Sequence, residues 1–250
     1  MAHILFILGA TDTLQPTNGV STTTGFCPQE FVPAHHLFLE HGHQISVASN
    51  KGKPVVPDER CFSPDLHNHD TGRILNLREQ LDEIETWRKP LSLERLALSS
   101  TKYDAVFFPG GYVPMPDLAS SEAAGNLVKR TLSNRGLIGA VCHGAAGLIP
   151  AQHEGRWLFF DYRLTCCNPA EAALAESKPA KYLSYPLAEN LAKLGGKLSF
   201  DTPGTEHIVI DRQLYTGQNW ASVEKLAYAM ARQLKKKTAL DKNACNTPCD

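Results

Sequence analysis

Apolar positions in this chain recur in blocks whose period switches repeatedly between two and 3.6, the rhythm of strands and helices taken in turn. His3–Leu8 is a short, nearly continuous apolar run and predicts a first strand. A polar loop, Gly9–Thr24, leads to a helix that opens at Pro28-Gln-Glu30 and carries Phe31, Val32, Leu37, Phe38 and Leu39. Proline suits a first helical position, and Gly42 ends the element. Gln44–Ala48 alternates as a second strand, after which Ser49–Thr71, rich in Pro, His and Asp, predicts an excursion or lid. Leu75, Leu77, Leu81, Ile84 and Trp87 fall at helical spacing, and a short helix begins near Ser92. Asp104–Pro109 predicts a buried strand ending in Gly110-Gly111, and a helix over Ser120–Asn134 returns to the strand Gly136–Val141. Beyond Cys142 the pattern predicts a helix, a strand over Arg163–Cys167, and helices from Pro169 and over Pro186–Leu194. Strands at His207–Ile210 and Leu214–Thr216 and a closing helix, Trp220–Lys236, complete it.

Strands alternating with helices imply an α/β fold with a doubly wound, mostly parallel sheet covered on both faces. At 250 residues, with no internal repeat and no linker, the chain reads as one domain over residues 1–237. Residues 238–250 read as a polar, loosely held tail containing Cys245 and Cys249.

Composition removes several classes of function. Lys+Arg 25 against Asp+Glu 26 gives a net charge of −1 without a basic stripe, which argues against nucleic-acid binding. The Lys235–Lys237 cluster suits the negative end of a last helix. No apolar stretch approaches the ~20 residues that span a membrane. Met1–Leu8 lacks a charged leader region and reads as a strand rather than a signal peptide. Seven cysteines, odd in number and irregular in spacing, point to reduced thiols in a cytoplasmic protein.

The chemistry centres on Cys142. The strand before it stops abruptly, and Gly144, Ala145, Ala146 and Gly147 follow, as a tight strand-to-helix turn requires. This is a nucleophile elbow with cysteine in the serine place, at a helix N-terminus that favours thiolate. His143 follows directly. Adjacent residues at a helix start point in different directions, so it needs an orienting acceptor to serve as general acid or base. Gly110-Gly111 lets the backbone approach a substrate and, with the N–H groups after Cys142 at His143 and Gly144, offers an oxyanion site. Glu30, flanked by Phe26, Phe31 and Val32, is the acid expected near the thiol; an apolar setting raises a carboxyl pKa. The histidines at 35, 36, 41, 43, 67 and 69 lack a spacing diagnostic of metal, and Cys166-Cys167 reads as filling space at a strand end.

With these residues in place the chain resembles the DJ-1/PfpI superfamily, and within it the heat-shock-protein-31-like glyoxalase III group, from His3 to about Arg232. Thr24–Glu30, Ala48–Gly52, Tyr103–Gly111 with Asp117-Leu118, Ala140–Ala145 and Thr216–Asn219 with Ala221-Ser222 carry the likeness. The resemblance implies a flavodoxin-like sandwich akin to class I glutamine amidotransferases, a homodimer, and conversion of methylglyoxal to D-lactate without glutathione, metal or organic cofactor. It implies that Cys142 attacks the aldehyde, Glu30 moves the proton between carbons, and His143 is a general acid/base. Backbone N–H groups near Gly111 and His143 would hold the oxyanion, and Glu171 best matches a third, acidic residue that orients the histidine. Three departures border the pocket: Tyr112 where His is common, Ala145 where Pro is frequent, and Thr165-Cys-Cys167 in place of a Gly-Phe pattern. The alternatives are a protein deglycase, a holdase chaperone binding unfolded clients, a redox sensor and a cysteine peptidase. Glutamine amide transfer is disfavoured: neither His153 nor His207, the histidines after the elbow, begins the His-x-Glu it needs.

Overall fold

The structure, a computed structural model, describes residues 1–14, 21–176 and 186–245. Its centre is a seven-stranded sheet: β1 (His3–Ile7), β2 (Gln44–Ser49), β3 (Leu91–Ser92), β4 (Ala105–Phe108), β5 (Leu137–Val141), β6 (Ile208–Asp211) and β7 (Leu214–Gly217). The spatial order is β6-β7-β5-β4-β1-β2-β3, and every pairing is parallel except the β6–β7 hairpin at the edge. This is the doubly wound, mostly parallel sheet that the alternating pattern implies, in the flavodoxin-like, class I glutamine amidotransferase-like form that the resemblance implies.

The apolar run of β1 divides between two cores because successive side chains point to opposite faces. Ile4 and Phe6 face the layer made by α1 (Pro28–Glu40) and α7 (Val223–Cys245), with Phe31, Phe38 and Met230. Leu5 and Ile7 face the layer of α3 (Leu93–Leu98) and α4 (Glu122–Ser133), with Leu93, Leu127 and Val128. Phe6 meets Phe31 edge-on at 5.4 Å between ring centres and Phe107 at 5.0 Å. Each such buried ring is worth roughly 1.5–3 kcal/mol of transfer free energy. Helix α2 (Thr71–Glu83) starts at Asp70, whose carboxylate accepts from the N–H of Arg73.

Several boundaries differ from the reading above. Arg163–Cys167 contributes only Arg163-Leu164, which pairs with Lys197-Leu198 in a separate two-stranded sheet. The chain is held there by side chains instead: the N–H of Thr165 donates to Oγ1 of Thr216 on β7. The helix expected after Cys142 is a seven-residue 3₁₀ stretch, Cys142–Leu148. Helix α5 (Pro169–Glu176) and helix α6 (Leu187–Lys193) follow. The closing helix runs on past Lys237 to Cys245, so the expected tail begins as helix; residues 246–250, with Cys249, lie outside the described residues. Among the described residues no helix is long and apolar enough to cross a membrane.

Candidate active site

Strand β5 delivers Cys142 to the carboxyl edge of the sheet, and there the backbone turns through φ +54°. A side chain in that left-handed region is strained, as at a nucleophile elbow. The small residues that follow are dictated by packing. A Cβ on Gly144 would lie 2.2 Å from the carbonyl oxygen of Phe108, at the end of β4. The turn can therefore tuck beneath β4 only if position 144 is glycine.

Helix α1 brings the acid. Its first turn follows Cys27, whose N–H donates to the carbonyl of Gly110, and Glu30 enters the interior at 3 % exposure. The Gly110 N–H donates to Glu30 Oε2 at 2.7 Å. A Cβ on Gly110 would sit 2.5 Å from that oxygen and 2.9 Å from the Cys142 Cβ, so a glycine is wedged between acid and thiol. Burial pushes the Glu30 carboxyl up to about 7, against the hydrogen bond from Gly110, the nearby His143 and the hydrogen bond with Cys142. The expectation of Gly110 as an oxyanion donor is corrected by this geometry: its N–H is committed to the carboxyl.

His143 reaches its neighbour directly. Its Nδ1 lies 3.4 Å from Cys142 Sγ, closer than adjacent positions at a helix start suggest. The Cys142 sulfur, a ring nitrogen of His143 and the Cys167 sulfur all lie within 4.8 Å of one another. The two thiols form a coupled pair. A hydrogen bond from Cys142, with the His143 imidazole, pulls the Cys167 thiol down to about 5. The hydrogen bond to Cys167, together with burial, pushes Cys142 up. One of the pair ionises readily and the other is retained as its donor. These sulfur and nitrogen atoms are also the one gathered set of metal-type donors among the described residues. Of the other histidines, His35 is packed against Phe31 and Phe6, and its pKa is driven down to about 4 by burial.

Glu171, close enough for its charge to act on Cys167, is held by three donors. Its Oε1 accepts from Gln218 Nε2 at 3.0 Å, Asn219 Nδ2 at 2.8 Å and the N–H of Gly204. It ties the loop before β6 to the end of β7, while Cys167, four residues earlier, lies against His143. The reading of Cys166-Cys167 as strand-end filler therefore holds for buried Cys166 and fails for Cys167. Neighbours on extended backbone face opposite sides, so one of two adjacent cysteines after β-type chain had to face the elbow.

The segment 49–71 contains a run of 3₁₀ turns, and its Pro57 and Arg60 reach this region. Phe26 bridges both Pro57 of that segment and Gly111 of the site. Arg60, paired with Asp58, places its guanidinium 4.8 Å from the centre of the Tyr112 ring, and Tyr112 stacks on His143 at 5.0 Å. Burial pushes the Tyr112 hydroxyl up, so it stays protonated at neutral pH. Tyr112 thus lies between Arg60 and His143, and Arg60 is a neighbour of the site that loop composition alone did not reveal.

An α/β sheet with a strained cysteine at a strand end, an adjacent histidine and a buried carboxyl against the thiol defines a cysteine-elbow protein. Residues 22–169, more than half of the chain, match the ThiJ/PfpI family-like description, and the chain belongs to that family, within the DJ-1/PfpI superfamily. It is similar to human glutamine amidotransferase-like class 1 domain-containing protein 1, 31 % identical over 140 residues covering 56 % of this chain and 62 % of that one. The matched part thus spans less than two thirds of that relative's length. It is also similar to the protein/nucleic acid deglycase HchA of Pseudomonas aeruginosa (strain LESB58), 28 % identical over 226 residues, 87 % of this chain and 75 % of that one. Among solved structures, glyoxalase III from Candida albicans superposes with a TM-score of 0.73 at 19 % identity, covering 92 % of this chain and 96 % of that one, a likeness of fold.

Proposed function

We propose that this protein is a glutathione-independent glyoxalase that converts small 2-oxoaldehydes, methylglyoxal first, to 2-hydroxy acids such as D-lactate. The observation that carries the reading is a buried carboxyl, raised to about 7, hydrogen-bonded beside an elbow thiol. Such a carboxyl exchanges protons near neutral pH, as a base acting on a C–H bond requires. In this reaction the Cys142 thiol adds to the aldehyde carbon, its proton passing by way of His143 to the carbonyl oxygen to give a hemithioacetal. Ionised Glu30 removes the hydrogen from that carbon, and the resulting enediol is protonated at the neighbouring carbon. The product is a 2-hydroxy thioester. Water then cleaves the carbon–sulfur bond, releasing the hydroxy acid and returning the thiol.

His143 serves as acid and base toward the oxygens, and backbone N–H groups of Gly111, His143 and Gly144 stabilise the oxyanion. Cys167 lies against His143 and helps to position it. Tyr112 and Arg60 bound the pocket and favour small, polar substrates. A homodimer in the cytoplasm, using no metal or organic cofactor, completes the proposal.

The test is product analysis with purified protein, methylglyoxal and no glutathione. D-lactate is expected from the wild type and not from Cys142→Ala; undiminished turnover in that variant would sink the mechanism. The relative named as a deglycase favours a second reading, in which the same thiol acts on aldehyde adducts of amines. Release of free amine from a methylglyoxal-treated peptide, without D-lactate from free methylglyoxal, would select it.

A further inference from the structure

Two thiols outside the chemistry above face each other at the edge of the site. Cys61 Sγ lies 3.1 Å from Cys27 Sγ, 34 residues away in sequence, so roughly 1 Å of approach reaches the ~2.05 Å of an S–S bond. Cys27 is buried and caps the start of α1, the helix that carries Glu30. Cys61 is half-buried in the 3₁₀ turn Glu59–Phe62 of the covering segment. We propose that Cys27 and Cys61 form a peroxide-responsive disulfide that latches the 49–71 segment to the start of α1, across the site.

Three independent contacts already hold the two partners in register. His67 Nε2 lies 2.8 Å from the Cys61 carbonyl oxygen and 3.2 Å from Gln29 Nε2 on α1. Phe62, next to Cys61, is buried in the core. Asp58 accepts from the Arg60 N–H, shaping the turn that presents Cys61. The thiols therefore need no rearrangement of either element to react, and little conformational entropy stands against closure.

The bond has a consequence at the pocket because Arg60, adjacent to Cys61, is the residue laid against Tyr112. Fixing Cys61 fixes that guanidinium over the tyrosine that stacks on His143. The redox step balances with peroxide as oxidant. The more accessible Cys61 sulfur attacks one peroxide oxygen, the O–O bond breaks, and a sulfenic acid and hydroxide result. The Cys27 sulfur then attacks the Cys61 sulfur; an S–S bond forms, the S–O bond breaks, and the thiol proton leaves with the oxygen as water. Two thiols are oxidised and one peroxide is reduced to two waters. Thiol–disulfide exchange with a small reductant reverses it.

The experiment uses the full chain, reduced and then treated with hydrogen peroxide, blocked with an alkylating reagent and mapped by non-reducing peptide mass spectrometry. Limited proteolysis of the 49–71 segment is followed in parallel, with Cys61→Ser and Cys142→Ala as variants. A Cys27–Cys61 cross-link is expected in the wild type and in Cys142→Ala, reversed by dithiothreitol and missing from Cys61→Ser. Cleavage within 49–71 is expected to slow about tenfold on oxidation, as local opening is suppressed. Both thiols still alkylated while Cys142 is oxidised or joined to Cys167 would overturn the proposal. So would a cross-link that leaves the cleavage rate unchanged. Neither readout depends on aldehyde turnover, so failure here is separable from failure of the proposed activity.

Discussion

At the scale of single residues, Glu30 sets the pH behaviour. Its carboxyl rises from 4.5 to about 7 on folding, so the folded protein binds the extra proton between those values. That proton favours folding fully below about pH 4.5, and the contribution is lost as pH rises through 7. A shift of this size corresponds to roughly 3 kcal/mol. Glu30→Gln keeps an oxygen for the Gly110 N–H and removes the titration. Relative to wild type it is expected to gain roughly 2–3 kcal/mol on going from pH 5 to pH 8, read from urea unfolding of both proteins at both pH values. It should also lose turnover, and the wild-type rate should fall on the acid side of pH 7, the limb reporting the base. Cys167 makes a second prediction. In Cys167→Ala the low-pH step in alkylation of the thiol pair should vanish, because the partner that shares the proton is gone. Retention of that step would assign the low titration to Cys142 and His143 alone.

At the scale of elements, the elbow and the covering segment respond to different changes. Gly144→Ala forces a methyl against the Phe108 carbonyl and is expected to destabilise by about 3 kcal/mol, measured by urea unfolding. Asp58→Ala removes the carboxylate that accepts from Thr24 Oγ1 and from the Arg60 N–H and side chain. The loss should appear as faster hydrogen exchange confined to residues near 56–67, with the central strands unchanged. The positions of Cys142 and Glu30 were legible because each follows a strong local signal, a strand that stops dead and a proline that starts a helix. Cys167 was not legible as a site residue. The segment Arg163–Cys167 reads as a strand, yet past Leu164 it is held by the Thr165–Thr216 hydrogen bond and delivered to the elbow. Glu171 matched by position along the chain; its Oε1 accepts from Gln218 and Asn219, partners that approach only once β7 is in place. Arg60 carried no local signal, since its meaning depends on how an irregular segment folds back over Tyr112.

At the scale of the whole molecule, both cores share β1, β4 and β5, so neither layer can be lost alone. Met230→Ala on one face and Leu127→Ala on the other should each lower stability by about 2–5 kcal/mol while leaving a single unfolding transition. Coincident curves from circular dichroism and from intrinsic fluorescence would check this; separated curves would show two folding units. The glycine wedged between Glu30 and Cys142 has a consequence at this scale too. Acid and thiol reach it from different elements, and its own place follows from the pairing of Phe108 with Ala140 across β4 and β5. A slip of one residue between those strands would turn every inward side chain outward and part the carboxyl from the sulfur. The reactivity of Cys142 is therefore a chemical clock for strand alignment during refolding. A thiol probe added at successive times after dilution from urea would date the moment when the centre of the sheet falls into register.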